Sequence, residues 1–159
     1  ANISKEPLSL NGILAEIEES ETPQAENAGM SLRVDVPEGM EIYGNHTFIS
    51  SIFRNLIDNA IAYSGGDSIV IRLEGETDDR YTFSVTDNGN GIPTEHLERI
   101  FERFYRIDKG RSRLMGGTGL GLAIVRNAVQ LHGGTIHATN LPEGGLRFIF
   151  TLSKRDDKA

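Results

Sequence analysis

The chain has 159 residues, 16 of them basic and 23 acidic, and its net charge of −7 argues against a general nucleic-acid binder. It contains no cysteine, so disulfides, thiol nucleophiles and cysteine-based zinc sites are excluded. No apolar run reaches the roughly 18 residues of a membrane-spanning helix, and the start, ANISKEP, looks like a position inside a longer protein rather than a signal peptide.

The N-terminal part of the chain predicts a helix between short strands. From Asn11, apolar residues recur at helical spacing, and Pro23 is expected to kink or restart this helix before Gly29 ends it. After Gly29, apolar and polar side chains alternate, which is typical of a half-buried strand. The strands expected in this part lie at residues 8–10, 31–36 and 41–43.

The stretch FRNLIDNAIAYS predicts the helix around which the domain is organised. Asn45 is a suitable N-cap, and the helix is expected to continue to about Tyr63. Asn55 and Asn59 lie one turn apart, where their amide oxygens could hold a hard cation or a polar ligand, although a solvated polar face is the simpler alternative. The apolar residues on the opposite, buried face are Phe53, Leu56, Ile57, Ala60 and Ile61.

The second half of the chain predicts two hairpins separated by helices. A helix capped by Thr118 should run to His132, with Leu120, Ile124, Ala128 and Leu131 on its apolar face. The element order indicates a two-layer α/β sandwich, with a mixed sheet of about five strands, further short strands and three main helices on one face. The other segments expected are a hairpin of 68–74 with 80–87, short helices within 94–104, a mobile loop over 105–117, a hairpin of 135–139 with 146–152, and a frayed tail over 154–159.

The motif DNGNGI begins at the end of a predicted buried strand. Phe83 and Val85 alternate toward the core, and strand parity places Asp87 on the same side. A simple turn is the alternative, but a carboxylate on a buried face needs a hydrogen-bond donor. The exocyclic amino group of adenine would supply one, whereas guanine presents a carbonyl there. Gly89 and Gly91 would leave room for a flat ring against the backbone.

The second glycine-rich motif, GGTGLGL, occupies residues 116–122 at the start of a predicted helix. Free N–H groups and the helix dipole favour phosphate there, although a plain linker would have a similar composition. The motif lacks the lysine of a Walker loop and follows a loop instead of a strand. Residues 99–113 carry six basic and two acidic side chains, which favours a cationic flap over a polyphosphate rather than a solvated loop.

The sequence does not assign a single role to the aromatic residues and histidines near these motifs. Phe101, Phe104 and Tyr105 could anchor the flap on the domain or pack in the core. The four histidines have neither metal-ligand spacing nor a partner for nucleophilic catalysis, so each is expected at the surface or at a helix cap. They are His46, His96, His132 and His137.

Four motifs in a fixed order, NLIDNA, DNGNGI, FERFYR and GGTGLGLAIV, carry a family resemblance. From about residue 8 to residue 152, the chain resembles the ATP-binding catalytic domain of bacterial sensor histidine kinases, within the superfamily of heat-shock chaperone ATPases, gyrase and mismatch-repair ATPases. The resemblance implies a Bergerat-type ATP-binding fold over the whole chain, with residues 1–7 as a linker remnant. It also implies ATP and Mg²⁺ as ligands.

The resemblance also implies roles for individual residues. Asn59 would bind Mg²⁺, with Asn55 beside it near the phosphates, and Asp87 would bind adenine. Many relatives carry Lys or Arg at the position of Ala62, so one phosphate contact is in doubt here. The implied catalytic residues are Asn55, Arg103 and Arg106. The implied nucleotide-binding residues are Asn55, Asn59, Tyr63, Asp87, Gly89, Gly91, Ile92, Tyr105, Arg106, Gly117, Thr118, Gly119, Leu120 and Gly121.

The phosphoacceptor histidine of such kinases, in its helical His-Glu-Leu-Arg-Thr-Pro-like context, does not occur in this sequence. The resemblance therefore implies an upstream dimerisation and phosphoacceptor domain, a response-regulator receiver domain as partner, and no nucleic acid. This chain is expected to be a monomeric cytoplasmic domain of a homodimeric, membrane-anchored sensor protein. The alternatives are a nucleotide-binding module with weak or lost transferase activity and a serine kinase of the anti-sigma type.

Overall fold

The structure, a computed structural model, describes residues 3–105 and 121–156 and confirms the predicted α/β sandwich. Within these ranges a mixed five-stranded sheet has the order β2-β4-β5-β7-β6, and a small antiparallel pair joins β1 to β3. Among the described strands of the larger sheet, only β2 and β4 are parallel neighbours. The strands are β1 Glu6–Ser9, β2 Ser31–Asp35, β3 Glu41–Gly44, β4 Ser68–Glu76, β5 Arg80–Asp87, β6 Ile136–Asn140 and β7 Leu146–Ser153. The helices are α1 Leu10–Asn27, α2 His46–Tyr63 and α3 Gly121–Leu131, with short 3-10 helices at Thr94–His96 and Arg99–Phe101.

Helix α2 forms where the sequence predicts it and connects to the centre of the core. The Asn45 side chain accepts a hydrogen bond from the backbone N–H of Phe48 at 3.2 Å, which caps the first turn. The ring of Phe53 packs edge-on against Phe83 of β5 and Phe150 of β7, with centroids 5.9 and 5.3 Å apart. The polar side of α2 is thereby held at a fixed orientation over the sheet.

Helix α1 is continuous through Pro23, so the predicted restart at that residue is wrong. Proline removes one N–H donor and crowds the carbonyl four residues earlier, at Glu19. Both residues lie on the exposed side of the helix, where water can satisfy the freed carbonyl. The helix ends two residues before Gly29, whose φ of 76° is the left-handed conformation expected after a helix.

The buried face of helix α3 is rotated from the predicted one and shares Ala128 with it. Ile124 is 44% exposed, whereas Val125, Ala128 and Val129 are buried. His132 continues this buried stripe at 2% exposure, so the surface position is wrong for it. The alternative of a helix cap fits, because its ring bonds the carbonyl of Ala128 in the last turn of α3. The stripe includes an imidazole, and an apolar-only pattern therefore selected the neighbouring face.

Both ends of the described chain are tied into the fold. Strand β1 begins at Glu6, so the last two residues of the expected linker remnant, 6 and 7, pair with β3. At the other end, the Lys154 backbone donates to the carbonyl of Asp79 at 2.9 Å, and its side chain lies 2.6 Å from Glu76. Arg155 contacts the same β4–β5 turn, so the predicted fraying is wrong for these two residues.

Candidate functional site

Asp87 is a buried carboxylate at the end of the central strand β5. It is 5% exposed and lies on the core side of the strand, as strand parity predicts. Its Oδ1 accepts hydrogen bonds from the backbone N–H groups of Gly89 at 2.9 Å and Leu146 at 3.2 Å. Burial raises the pKa of Asp87, and these two donors partly oppose that rise. Both donors converge on Oδ1, so neither of them occupies Oδ2.

The loop after Asp87 is packed onto the end of α2. The Asn90 backbone donates to the carbonyl of Ser64 at 2.9 Å. A Cβ added at Gly89 would overlap that same carbonyl oxygen. Asn88 accepts from the backbone N–H groups of Asp67 and Ser68 at 2.8 and 3.0 Å. Glycine at position 89 is therefore required by a contact inside the protein, whatever else the loop contacts.

Asn140 holds the far end of this loop and is not part of any of the sequence motifs. Its side-chain nitrogen donates to the carbonyl of Ile92 at 2.6 Å, and its Oδ1 accepts from the Ile92 backbone N–H at 3.0 Å. Gly91 has φ of 68°, and a Cβ there would lie 2.5 Å from Asn140 Oδ1. Strand parity was the signal that could have indicated Asn140, since it shares a face with Ile136 and Ala138.

Asn55 presents its amide oxygen toward the start of α3. Its nitrogen donates to the carbonyl and hydroxyl oxygens of Ser51 at 2.8 and 3.0 Å. A backbone carbonyl only accepts, so the NH₂ group faces Ser51 and Oδ1 faces away from it. A Cβ at Gly121 would lie 3.4 Å from that Oδ1. Asn59 follows one turn later and is half-buried, so two candidate ligand side chains share this part of α2.

The side-chain amide oxygens of Asn55 and Asn59 suit Mg²⁺ better than a metal ion that takes all of its ligands from protein side chains. Among the described residues, no group of three or more His, Cys, Asp or Glu side chains could hold a metal ion. Mg²⁺ commonly takes one or two protein oxygens and completes its shell with phosphates and waters. The fixed Oδ1 of Asn55, with Asn59 beside it, matches that small donor set.

The aromatic residues of FERFYR occupy different environments. Phe101 is buried and its ring packs edge-on against Phe148, with the centroids 6.0 Å apart. Phe104 is 61% exposed with φ of 65°. Tyr105 contacts His96 through its hydroxyl, and the Arg99 guanidinium lies 4.6 Å from its ring centre. Of the two alternatives for these rings, the core position is correct for Phe101 and wrong for Phe104.

The structure brings some of the predicted site residues together and leaves others unassigned. It joins Asp87 to Gly89, and it brings Asn55 close to Gly121. Arg103 is exposed, with its guanidinium 5.5 Å from the Phe104 ring centre, and Tyr63 is half-buried. Residues 106–117 of the predicted mobile loop lie outside the described residues, as do the predicted site residues Arg106, Gly117, Thr118, Gly119 and Leu120.

A family profile for the "Histidine kinase-, DNA gyrase B-, and HSP90-like ATPase" domain matches residues 44–156. The chain belongs to this ATPase family. The matched part of the ATPase domain includes α2, the loop after Asp87 and the β6–β7 hairpin, which are the elements that form the site.

Curated relatives of this ATPase domain are sensor histidine kinases. The sensor-like histidine kinase SenX3 of Mycobacterium tuberculosis (strain ATCC 25618 / H37Rv) is 42% identical over 128 residues, covering 80% of this chain and 31% of that protein. The sensor histidine kinase CpxA of Escherichia coli (strain K12) is 40% identical over 149 residues, covering 92% and 32%. The chain therefore spans about a third of the length of these relatives.

Solved structures share the fold of the ATPase domain. Full-length ShkA in complex with AMPPNP superposes with a TM-score of 0.84 at 25% identity, covering 98% of this chain and 32% of that one. The catalytic domain of histidine kinase ThkA superposes with a TM-score of 0.81 at 28% identity, covering 96% and 99%. In the segments of this chain that the structure describes, no helix is both long and apolar enough to cross a membrane.

Proposed function

We propose that this ATPase domain binds ATP with Mg²⁺ and donates the γ-phosphate to a histidine on a separate dimerisation and phosphoacceptor domain of the same protein. The observation that carries the proposal is the buried carboxylate of Asp87, fixed through one oxygen at the end of β5. Support comes from the family match, from relatives named as sensor histidine kinases, and from a similar structure solved with AMPPNP.

The base would be selected at Asp87. Its Oδ1 is occupied by two backbone donors, which leaves the carboxylate with acceptor capacity on Oδ2. A charged acceptor that is mostly buried favours a ligand with an N–H group and disfavours one with a carbonyl. The 6-amino group of adenine satisfies this requirement, and the 6-oxo group of guanine does not.

The phosphates would lie near the amide oxygens of α2. Asn59 is the proposed Mg²⁺ ligand, with the oriented Oδ1 of Asn55 beside it and the start of α3 close by. Bound Mg²⁺ would neutralise phosphate charge in the transition state. Arg103 is a proposed phosphate contact, since its exposed side chain can move.

The acceptor histidine would come from another domain. Among the histidines of this chain, His132 is buried with both ring nitrogens hydrogen-bonded, and His46 lies 3.0 Å from Glu16. His137 is exposed on a strand and His96 ends a short 3-10 helix, and neither has the sequence context of a phosphoacceptor. The proposal extends to a response-regulator receiver domain as the next acceptor and to a homodimeric, membrane-anchored whole protein. The names of the relatives support its assignment to a sensor histidine kinase.

Nucleotide selection can be measured by calorimetry. We expect the chain to bind Mg-ATP in preference to Mg-GTP, and Asp87→Asn to weaken ATP binding by about 1.5–3 kcal/mol, because an amide can present a donor where the base needs an acceptor. Asp35→Asn is a matched control, since Asp35 is an exposed acid on edge strand β2. Equal ATP affinity of Asp87→Asn and the parent chain would refute the adenine assignment.

Phosphotransfer can be measured with γ-labelled ATP. The chain alone should not label itself, and it should label a separately produced dimerisation and phosphoacceptor domain from the same protein. The phosphate should be acid-labile and base-stable, as a phosphohistidine is. Strong self-labelling of the isolated chain, or an acid-stable product, would contradict the proposal that the phosphate acceptor is a histidine on a separate domain.

A second candidate is a nucleotide-binding module of the same fold with weak or lost transferase activity. The observation that favours it is Ala62, a half-buried residue three positions after Asn59. The family resemblance leads us to expect a basic side chain at this position. ATP binding without transfer to the phosphoacceptor domain would support this candidate.

A further inference from the structure

Asn140 lies at the end of β6, and its side chain bridges to a loop that is 48 residues away in the chain. The amide makes a closed pair of hydrogen bonds with one residue, donating to the Ile92 carbonyl at 2.6 Å and accepting from the Ile92 N–H at 3.0 Å. This pairing replaces the two bonds that a neighbouring strand would provide. It therefore fixes both the position and the orientation of the peptide groups at Ile92.

The loop between Asp87 and Ile92 is held from two sides. Its first half is bound to the end of α2, where Asn90 donates to Ser64. Its second half is held by Asn140, and Gly91 passes so close that a side chain there would collide with the Asn140 amide. Loss of the Asn140 amide would leave the first anchor intact and release the second.

The same hairpin also orients the carboxylate of Asp87. Within the β6–β7 turn, the Leu141 backbone donates to the carbonyl of Gly145 at 3.0 Å, which makes the connection rigid. A Cβ at Gly145 would overlap the carbonyl oxygen of Asp87, and Leu146 donates to Asp87 Oδ1. One short hairpin thus positions both the acceptor at Asp87 and, through Asn140, the backbone at Ile92.

We propose that Asn140 is a positioning residue for the nucleotide base, which sets the spacing between the Asp87 carboxylate and the Ile92 backbone and thereby contributes to the choice of adenine. The inference rests on the proposed function, because it takes the base to lie against Asp87. Asn140 acts through Ile92 and does not itself need to touch the nucleotide. Its removal should affect recognition of the base and spare recognition of the phosphates, which would lie near the amide oxygens of α2.

Two variants test the proposal. Asn140→Ala removes both hydrogen bonds. Asn140→Asp is isosteric, keeps the acceptor for the Ile92 N–H and places a carboxylate oxygen against the Ile92 carbonyl. We expect each variant to weaken Mg-ATP binding about five- to twenty-fold and to lower the ATP-to-GTP affinity ratio, with binding of Mg-tripolyphosphate changed less than about two-fold.

Asn11 offers a matched control on another part of the protein. Its side chain donates to the carbonyl of Pro37 at 2.8 Å and accepts from the N–H of Met40 at 2.7 Å, so it bridges a loop by the same kind of paired amide contact. Asn11→Ala should lower the unfolding midpoint as Asn140→Ala does, with the ATP-to-GTP ratio unchanged. All binding is measured at a temperature at which circular dichroism shows each variant to be folded.

Amide hydrogen exchange at Ile92 gives a readout that needs no nucleotide. It should accelerate at least about ten-fold in Asn140→Ala and remain unchanged in Asn11→Ala. If the parent chain binds ATP selectively and both Asn140 variants keep its ATP-to-GTP ratio, the positioning role is refuted and the proposed function stands. If the parent chain does not prefer ATP, both are refuted.

Discussion

The backbone N–H of Asn45 donates to Nε2 of His132 at 3.0 Å, which ties the N-cap of α2 to the end of α3. The second ring nitrogen, Nδ1, donates to the carbonyl of Ala128 at 2.7 Å. Since a carbonyl only accepts and an N–H only donates, the ring is neutral and carries its proton on Nδ1. A Cβ at Gly44 would collide with the imidazole, so the ring fills the space beside Asn45.

This pairing predicts a loss of stability in acid. Burial lowers the pKa of His132, and Lys5 adds to that effect. The unfolded chain therefore binds a proton at a higher pH than the folded chain, so the stabilisation is present above the usual histidine pKa and is lost as the pH falls below it. His132→Asn should lower the free energy of unfolding by about 1–3 kcal/mol at pH 7.5 and by less at pH 5. Urea unfolding measures both values, with exposed His137→Asn as control, and an equal loss at both pH values would contradict the assignment.

Glu21 predicts the opposite dependence on pH. It is 3% exposed, its Oε1 has no hydrogen-bond partner among the described residues, and Arg54 lies 3.7 Å from its Oε2. Burial, with Asp58 nearby, raises the pKa of Glu21 to about 8. The folded chain therefore keeps a proton that the unfolded chain has lost, and stability falls as the pH rises toward that value.

The corresponding variant is Glu21→Gln, which cannot ionise. It should be more stable than the parent chain at pH 8.5, by an amount on the order of a few kcal/mol, and close to it at pH 4. Glu18→Gln, at an exposed position of the same helix, should show no such difference. Thermal unfolding across this pH range checks both, and a pH-independent gain for Glu21→Gln would count against a buried protonated carboxyl.

The close approach of Gly89 to Ser64 predicts a strong effect of a single methyl group. Gly89→Ala should destabilise the domain by about 2–4 kcal/mol and weaken ATP binding, since the loop must move off the end of α2. Gly75→Ala is the control, because a Cβ at that position in β4 meets nothing within 4 Å. Its effect should lie within about 1 kcal/mol. Chemical denaturation measures the free energy of unfolding of both variants. A similar loss for Gly89→Ala and Gly75→Ala would contradict the packing described at Gly89.

The position of Ala62 can be tested by adding the missing charge. Arg103→Ala should weaken phosphotransfer to the phosphoacceptor domain, and Ala62→Lys should partly restore it, since one charge-assisted contact contributes about 1.5–3 kcal/mol. The measurement is a double-mutant cycle on the transfer rate. If Ala62→Lys changes nothing in either background, the residue does not face the phosphates.

The sequence was sufficient for those parts of the domain that depend on local periodicity. Asn45 as the N-cap, α2 with its buried face, and Asp87 on the core side of β5 all follow from spacing along a single element. The β4–β5 and β6–β7 hairpins were also predictable, because each joins strands that are adjacent in the sequence. These local rules predicted the buried position of Asp87 and the spacing of Asn55 and Asn59, whereas their roles in binding remain predictions.

The omission of Asn140 and the error in the buried face of α3 arise where contacts join distant parts of the chain. Asn140 reaches Ile92 across 48 residues and Leu146 reaches Asp87 across 59, and no local pattern predicts such pairs. The buried face of α3 was missed because His132 belongs to it, and its two hydrogen-bond partners make a buried imidazole acceptable.

The hydrogen bond from Leu146 to Asp87 also bears on the order in which the domain can mature during synthesis. The chain leaves the ribosome from its N-terminus, so β5 is present well before its partner strand β7, which supplies this donor. Until then, Asp87 lacks one of its two anchors and β5 lacks a neighbour on one side. The selective nucleotide binding proposed at Asp87 would therefore be gained only after β7 has been synthesised, and a bound nucleotide would stabilise the completed fold.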